Sequence, residues 1–127
     1  MNIDSRLWIT KNSKSYLGAG RIELLERIKE SGSIAKAAKQ MKMSYKAAWD
    51  NVDIANKLAA PKPLVISNAG GGKSSGTRLT PEGQKAIDTF KSLQALRNEF
   101  FGYLDGAKDF DELSERIQKL SKKLKSH

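Results

Sequence analysis

The sequence predicts a mainly α fold carrying two small β-hairpins, an α+β arrangement that ends in long C-terminal helices. Three observations predict it. Apolar residues recur at helical spacing through five separate stretches of the 127-residue chain. Two pairs of short β-prone segments flank polar or glycine-rich turns. A serine or threonine stands just before three of the helical stretches, where its hydroxyl can accept one of the free backbone N–H groups of a helix start.

Arg6 to Thr10 (RLWIT) and Ser15 to Leu17 flank the polar turn Lys11-Asn-Ser-Lys14 and read as a hairpin, which Gly18-Ala-Gly20 ends. The first helix follows over Arg21 to Ser31, with Ile22, Leu25 and Ile28 at helical spacing and Leu24 widening the face; Gly32 suits the left-handed position beyond its end. Ser33 caps a second helix from Ile34 to about Met41, where Ala35, Ala37 and Ala38 lack the bulk to hold another helix away. Lys36 and Lys39 take the water side. After the turn Met41-Lys-Met43, Ser44 caps a third helix from Tyr45 to about Ala59, about 22 Å long. Ala48, Val52, Ala55 and Ala59 form its buried stripe, with Ile54 and Trp49 on the flanks and Trp49 expected in the core. Lys46, Asp50, Asp53 and Lys57 occupy the opposite face, where the two carboxylates are expected to be ion-pair partners rather than an acid–base couple.

Beyond Pro61 and Pro63, Leu64–Ser67 and Thr77–Thr80 are short β-like segments on either side of a glycine-rich, basic linker, residues 68–76. Thr80 caps a fourth helix with Pro81 in its first turn, where a missing donor costs nothing. This helix runs to about Leu104 and is more apolar than one small domain needs, so Ile87, Phe90, Leu93, Leu96, Phe100 and Leu104 are expected to pair two subunits. Asp105-Gly106 breaks it. A last helix from Asp109 to Leu124 carries Phe110, Leu113, Ile117, Leu120 and Leu124 in the alternating spacing of a coiled-coil seam, to pack on the fourth helix in the same chain or in a partner. The expected division is residues 1–80 as one domain and 81–127 as a helical dimerisation extension.

A net charge of +9 and a pI near 9.8 favour a polyanionic partner. From Ser33 to Thr80 there are eight basic residues and two acidic ones, so most of the excess lies in under half the chain. No cysteine is present and the one histidine is His127, which removes the parts of thiolate and imidazole metal sites, disulfides and Ser-His-Asp triads. No metal, cofactor or enzymatic activity is expected. No apolar run suits a signal peptide or a membrane span, so the cytoplasm is the expected location and no membrane the expected partner.

Two short helices, alanine-rich at their crossing, serine-capped at both starts and basic outside, make a helix-turn-helix. Its second helix would project Ser44, Tyr45, Lys46 and Ala47 into a major groove of duplex DNA, with Lys36 and Lys42 toward phosphates. The hairpin over residues 64–80 is then a basic wing whose Lys73, Ser74, Ser75 and Arg78 follow the backbone or enter the minor groove, while its glycines allow close approach to phosphate.

These residues also carry a resemblance. Gly20-Arg-Ile-Glu-Leu-Leu-Glu26, Gly32-Ser-Ile-Ala-Lys-Ala-Ala38, Met43-Ser-Tyr-Lys-Ala-Ala-Trp-Asp50, Pro63-Leu-Val65 and Gly71-Gly-Lys73 leading to Arg78-Leu-Thr-Pro-Glu-Gly83 resemble the N-terminal winged helix-turn-helix domain of the ModE family of molybdate-dependent transcriptional regulators, a domain related to that of LysR-type regulators. The resemblance runs from about Arg6 to Leu104. It implies a prokaryotic, DNA-binding dimer, with Ser33 near a phosphate, Ser44 to Ala47 in the groove, and Gly71, Gly72 and the residues to Arg78 in the wing. Ser74 and Ser75 depart from that family's all-glycine wing, and Ala47 stands where a basic residue is common. Family members sense molybdate through separate C-terminal β-domains, so molybdate binding is not expected of this sequence.

Competing motifs fail on spacing. Gly70-Gly-Gly-Lys-Ser-Ser75 lacks the first glycine of a P-loop, which would fall on Ser67, and Gly18-Ala-Gly20 lacks the third glycine of a dinucleotide fingerprint, which would fall on Glu23. The expected function is a dimeric DNA-binding transcriptional regulator. The alternatives are a protein-interaction module docking through the last two helices and a sequence-indifferent architectural protein.

Overall fold

Helix caps and glycines set the element boundaries. In the computed structural model, which describes residues 1–68 and 76–126, the order is β1 (Trp8–Lys11), β2 (Lys14–Gly18), α1 (Ala19–Ser31), α2 (Ile34–Gln40), α3 (Tyr45–Ala59), β3 (Val65–Ser67), β4 (Thr77–Leu79), α4 (Pro81–Gly102) and α5 (Phe110–Lys125). Both hairpins are antiparallel, β1 with β2 and β3 with β4. Asn12 and Ser13 carry positive φ of 53° and 62°, the geometry of the tightest hairpin turns. Gly32 ends α1 at φ 71°, its N–H donating to Ile28 O at 2.8 Å. Four helix starts are capped by a side chain: Ser33 accepts from Lys36 N at 3.1 Å, Ser44 from Ala47 N at 3.0 Å, Thr80 from Gly83 N at 3.0 Å and Asp109 from Glu112 N at 2.8 Å.

The backbone divides into two units, residues 7–91 and residues 1–6 with 92–127, and the division falls inside α4. The larger unit holds the main core, in which Phe90, Leu25, Ile28 and Leu64 are the largest fully buried side chains. Burying such side chains is worth about 1.5–3 kcal/mol each. Ala37 and Ala38 of α2 and Ala48 of α3 are buried with them, so two helices meet through side chains no larger than a methyl. Ala35, expected at this crossing, is exposed, because the contact falls on the opposite side of α2. In the smaller unit, Gly106 N donates to Met1 O at 2.8 Å and Ile3 N to Asp105 Oδ1 at 2.8 Å, around buried Leu104, Ala107 and Leu120.

Two groups of expectations need correction. Trp49 is 48% exposed, because the stripe of Ala48, Val52 and Ala55 leaves it on the rim. Of the six residues expected to pair subunits, Ile87 and Phe90 are 3% and 0% exposed inside the main core, and Leu104 is 7% exposed inside the smaller unit. A side chain already enclosed by its own chain offers no surface to a second one. Leu93 is half-buried; Leu96 and Phe100 are exposed.

Candidate nucleic-acid interface

The amino end of α3 stands clear of the core. Ser44, Tyr45 and Lys46 are all exposed, Tyr45 at 57% and the Lys46 side chain at 85%. Ala47 is half-buried, its N–H held by Ser44 Oγ and its carbonyl accepting from Asn51 Nδ2 at 2.8 Å. Trp49 lies one turn beyond Tyr45, so two half-exposed rings lie along one side of the helix.

The turn before it is tight. Met43 N donates to Ala38 O at 3.0 Å and Lys42 N to Lys39 O at 3.1 Å, which puts Lys42 at φ 56° with its ammonium exposed. Lys36 and Lys39 on α2 are exposed as well, and Ser33 is half-buried, its hydroxyl occupied by the cap. Cations therefore stand on α2, on the turn and on the first turn of α3.

Further along α3 the outward face is neutralised from within. Lys46 Nζ lies 3.0 Å from Asp50 Oδ2, and Lys57 Nζ 2.8 Å from Asp53 Oδ2. The hydrogen bond to Asp53, with the attraction of that carboxylate, holds the Lys57 ammonium above its ordinary pKa. The ion-pair expectation for Asp50 and Asp53 therefore holds.

Arg78 is exposed on β4, the second strand of the wing. Gly71, Gly72, Lys73, Ser74 and Ser75, expected at the wing tip, lie outside the described residues.

Sequence reasoning missed the residues that position these elements. Asn56, on α3, accepts from Leu64 N at 2.8 Å and Val65 N at 3.2 Å and donates to Val65 O at 2.9 Å, tying α3 to the first strand of the wing. Thr77 N, on β4, donates to Gly32 O at 3.0 Å, tying the second strand to the loop that begins the helix-turn-helix. On the other side of α3, Arg21 reaches Asn51 Oδ1 at 2.9 Å, Ser15 O at 2.6 Å and Tyr16 O at 3.0 Å, and its burial lowers its pKa. One signal was available: asparagine is a poor helix former, so Asn51 and Asn56 inside a helix point to side chains bonded elsewhere.

The described residues hold no group of three or more His, Cys, Asp or Glu side chains fit to hold a metal ion, and no helix among them is long and apolar enough to cross a membrane.

No family model matches the chain. It is 37% identical over 117 residues to the molybdenum transport protein ModE of Azotobacter vinelandii, an alignment covering 92% of this chain and 40% of that protein. It is 34% identical over 103 residues to the transcriptional regulator ModE of Haemophilus influenzae, covering 81% of this chain and 40% of that one. The chain thus spans about 40% of the length of these relatives. Among solved structures, a LysR family transcriptional regulator superposes with a TM-score of 0.52 at 18% identity, over 73% of this chain and 30% of the other. That likeness shows a winged helix-turn-helix fold.

Proposed function

We propose, from the premise that ModE transcriptional regulators are homologues of this chain over most of its length, that it is a DNA-binding transcriptional regulator acting in the cytoplasm as a homodimer. The observation that carries the reading is the free amino end of α3, with exposed Tyr45 and Lys46 behind a serine cap and lysines on the elements beside it. A helix end of this kind fits a major groove, where side chains of the first turns reach base edges. Ser44, Tyr45, Lys46 and Ala47 take the groove, and Trp49 joins them as an apolar contact for a thymine methyl or a sugar. Ser33, Lys36 and Lys42 take phosphates. Arg78, with Gly71, Gly72, Lys73, Ser74 and Ser75, belongs to the wing's contact.

The functional division runs near residue 80, with DNA reading before it and subunit pairing in the helices after it. Leu96, Phe100, Tyr103, Phe110, Ile117 and Leu124 support pairing, since each is 38% to 77% exposed and all fall in the smaller unit. Apolar surface gathered in this way marks an interaction site. We assign this chain no enzymatic step and no molybdate contact.

Selection of duplexes from a random pool tests the reading, since a dimer should enrich paired half-sites about one helical turn apart. Log affinity for the enriched site should fall steeply with log salt, and Lys46→Ala should weaken binding and flatten that slope by roughly one charge. Weak binding that responds to neither salt nor Lys46→Ala, with no sequence enriched, would remove the proposal.

A further inference from the structure

We infer that the Lys46–Asp50 ion pair reads one C·G base pair as a unit, with Asp50 as the specificity-determining carboxylate of α3. The inference rests on the DNA-binding reading above and names what the amino end of α3 distinguishes.

The first observation is where the carboxylate stands. No acid occurs between Glu30 and Asp50, a stretch that carries Lys36, Lys39, Lys42 and Lys46, so Asp50 is the first anion met along the cationic helix-turn-helix. Ala48, Val52 and Ala55 face the core, and at about 100° per residue Lys46 and Asp50 fall about 40° apart on the opposite side of α3. The Asp50 side chain is 45% exposed. The helix itself gains little from an acid here: Asp50 lies in the second turn after the Ser44 cap, beyond the first turn where the helix dipole favours anions. An exposed ion pair also adds little to stability. Beside phosphates, an anion opposes binding unless a donor on the duplex receives it.

The second observation is the geometry of the pair. Lys46 Nζ lies 3.0 Å from Asp50 Oδ2, so a donor and an acceptor are held side by side at hydrogen-bond distance. A C·G base pair shows the complement in the major groove. Cytosine N4 donates beside guanine O6, which accepts, and the two are about 2.9 Å apart because they are bonded to each other. Asp50 then accepts the outward hydrogen of N4, while Lys46, with three donors, reaches O6 or N7 and keeps its bond to Asp50.

An A·T pair suits the ion pair less well. Its one donor, adenine N6, stands between two acceptors, N7 and thymine O4, which would repel the carboxylate, and the thymine methyl crowds the lysine. In the C·G pair both acceptors lie together on the lysine's side. Asp53 and Lys57 form a similar pair at 2.8 Å about a turn further from the free end of α3, so they supply a matched control.

Selection of duplexes from a random pool by the full chain tests the inference. The parent should fix a C·G pair at one position of the enriched site. Asp50→Asn should lose that preference by about tenfold and move it toward A·T, since an amide can both accept from N6 and donate to N7 of adenine, with the other positions unchanged. Asp50→Glu keeps a carboxylate and should keep the C·G preference. Asp53→Asn removes the same charge and should leave every position as it was. Circular-dichroism melts should show all three variants folded. An Asp50→Asn protein that gains affinity for all duplexes alike with its preferred bases unchanged, or one whose preferences shift just as those of Asp53→Asn do, would overturn the role of Asp50 and leave the DNA-binding reading standing. A parent that enriches no sequence would remove that reading and this inference together.

Discussion

Gly83 is the third residue of α4, and the fold leaves no room for a side chain there. A Cβ at this position would lie 2.3 Å from Leu64 O, 2.5 Å from Leu79 Cδ1 and 2.9 Å from Leu79 Cγ. The leucine can turn away, but the carbonyl cannot: Leu64 O accepts from Thr80 N at 2.9 Å and lies 3.0 Å from Thr80 Oγ1, the atom that caps α4 through Gly83 N. Gly83→Ala must therefore shift the helix start away from β3. Overpacking of this kind costs about 1–3 kcal/mol. Weakening the Thr80 bonds adds about 1 kcal/mol, and the better helix propensity of alanine returns about 1 kcal/mol. The net loss is about 1–3 kcal/mol, which for a chain of this size lowers the melting temperature by roughly 5–15 °C. Gly20→Ala is the matched control: it also lies in the first turn of a helix, nothing stands within 4 Å of its added methyl, and the variant should melt at or slightly above the parent. Thermal unfolding followed by circular dichroism measures both. A Gly83→Ala protein as stable as the parent would refute the close-approach reasoning, whatever the control does.

Ser44→Ala removes the acceptor for Ala47 N and should cost about 1 kcal/mol of stability in urea titrations; Ser44→Asp should recover it while weakening duplex binding by adding an anion at the groove. Asp50→Asn removes the carboxylate 3.0 Å from Lys46 Nζ, so binding to random duplex should tighten, measured by fluorescence anisotropy; unchanged affinity would mean that this end of α3 does not face phosphate. The Glu112 carboxyl is held below its ordinary pKa, first by the N–H of Lys108 and then by Arg116. A depressed acid stabilises the fold above its unfolded pKa and loses that contribution as pH falls through the folded value. Carboxyl NMR should show Glu112 titrating below its ordinary value, and Arg116→Ala should move it part of the way back, since the Lys108 N–H remains.

Local chemistry was legible in the sequence. Ser33, Ser44, Thr80, Gly32 and the break at Asp105-Gly106 act on residues within a turn or two, so the helix boundaries they set could be read without knowing the fold. What covers an apolar residue could not be read in the same way. Ile87, Phe90, Leu96 and Phe100 share one periodic pattern along α4, yet the first two lie in the main core and the last two are open. Trp49 was misplaced for a related reason: a flank is buried only if a neighbouring element arrives there, and sequence spacing does not report arrivals. In the candidate interface the amino end of α3 and its cations were readable from capping and charge, while Arg21 and Asn56, whose partners lie on other elements, were not.

The bonds from Asn56 to Leu64 and Val65, and from Thr77 to Gly32, have a consequence for the operator. They tie the base of the wing to α3 and to the loop before α2, so the spacing between these elements is set by the fold. If the chain reads duplex DNA as proposed, a mismatch in the step from one contact to the next would fall on bending or twisting of the duplex, and the stiffness of base steps that no side chain touches would enter into which site is preferred.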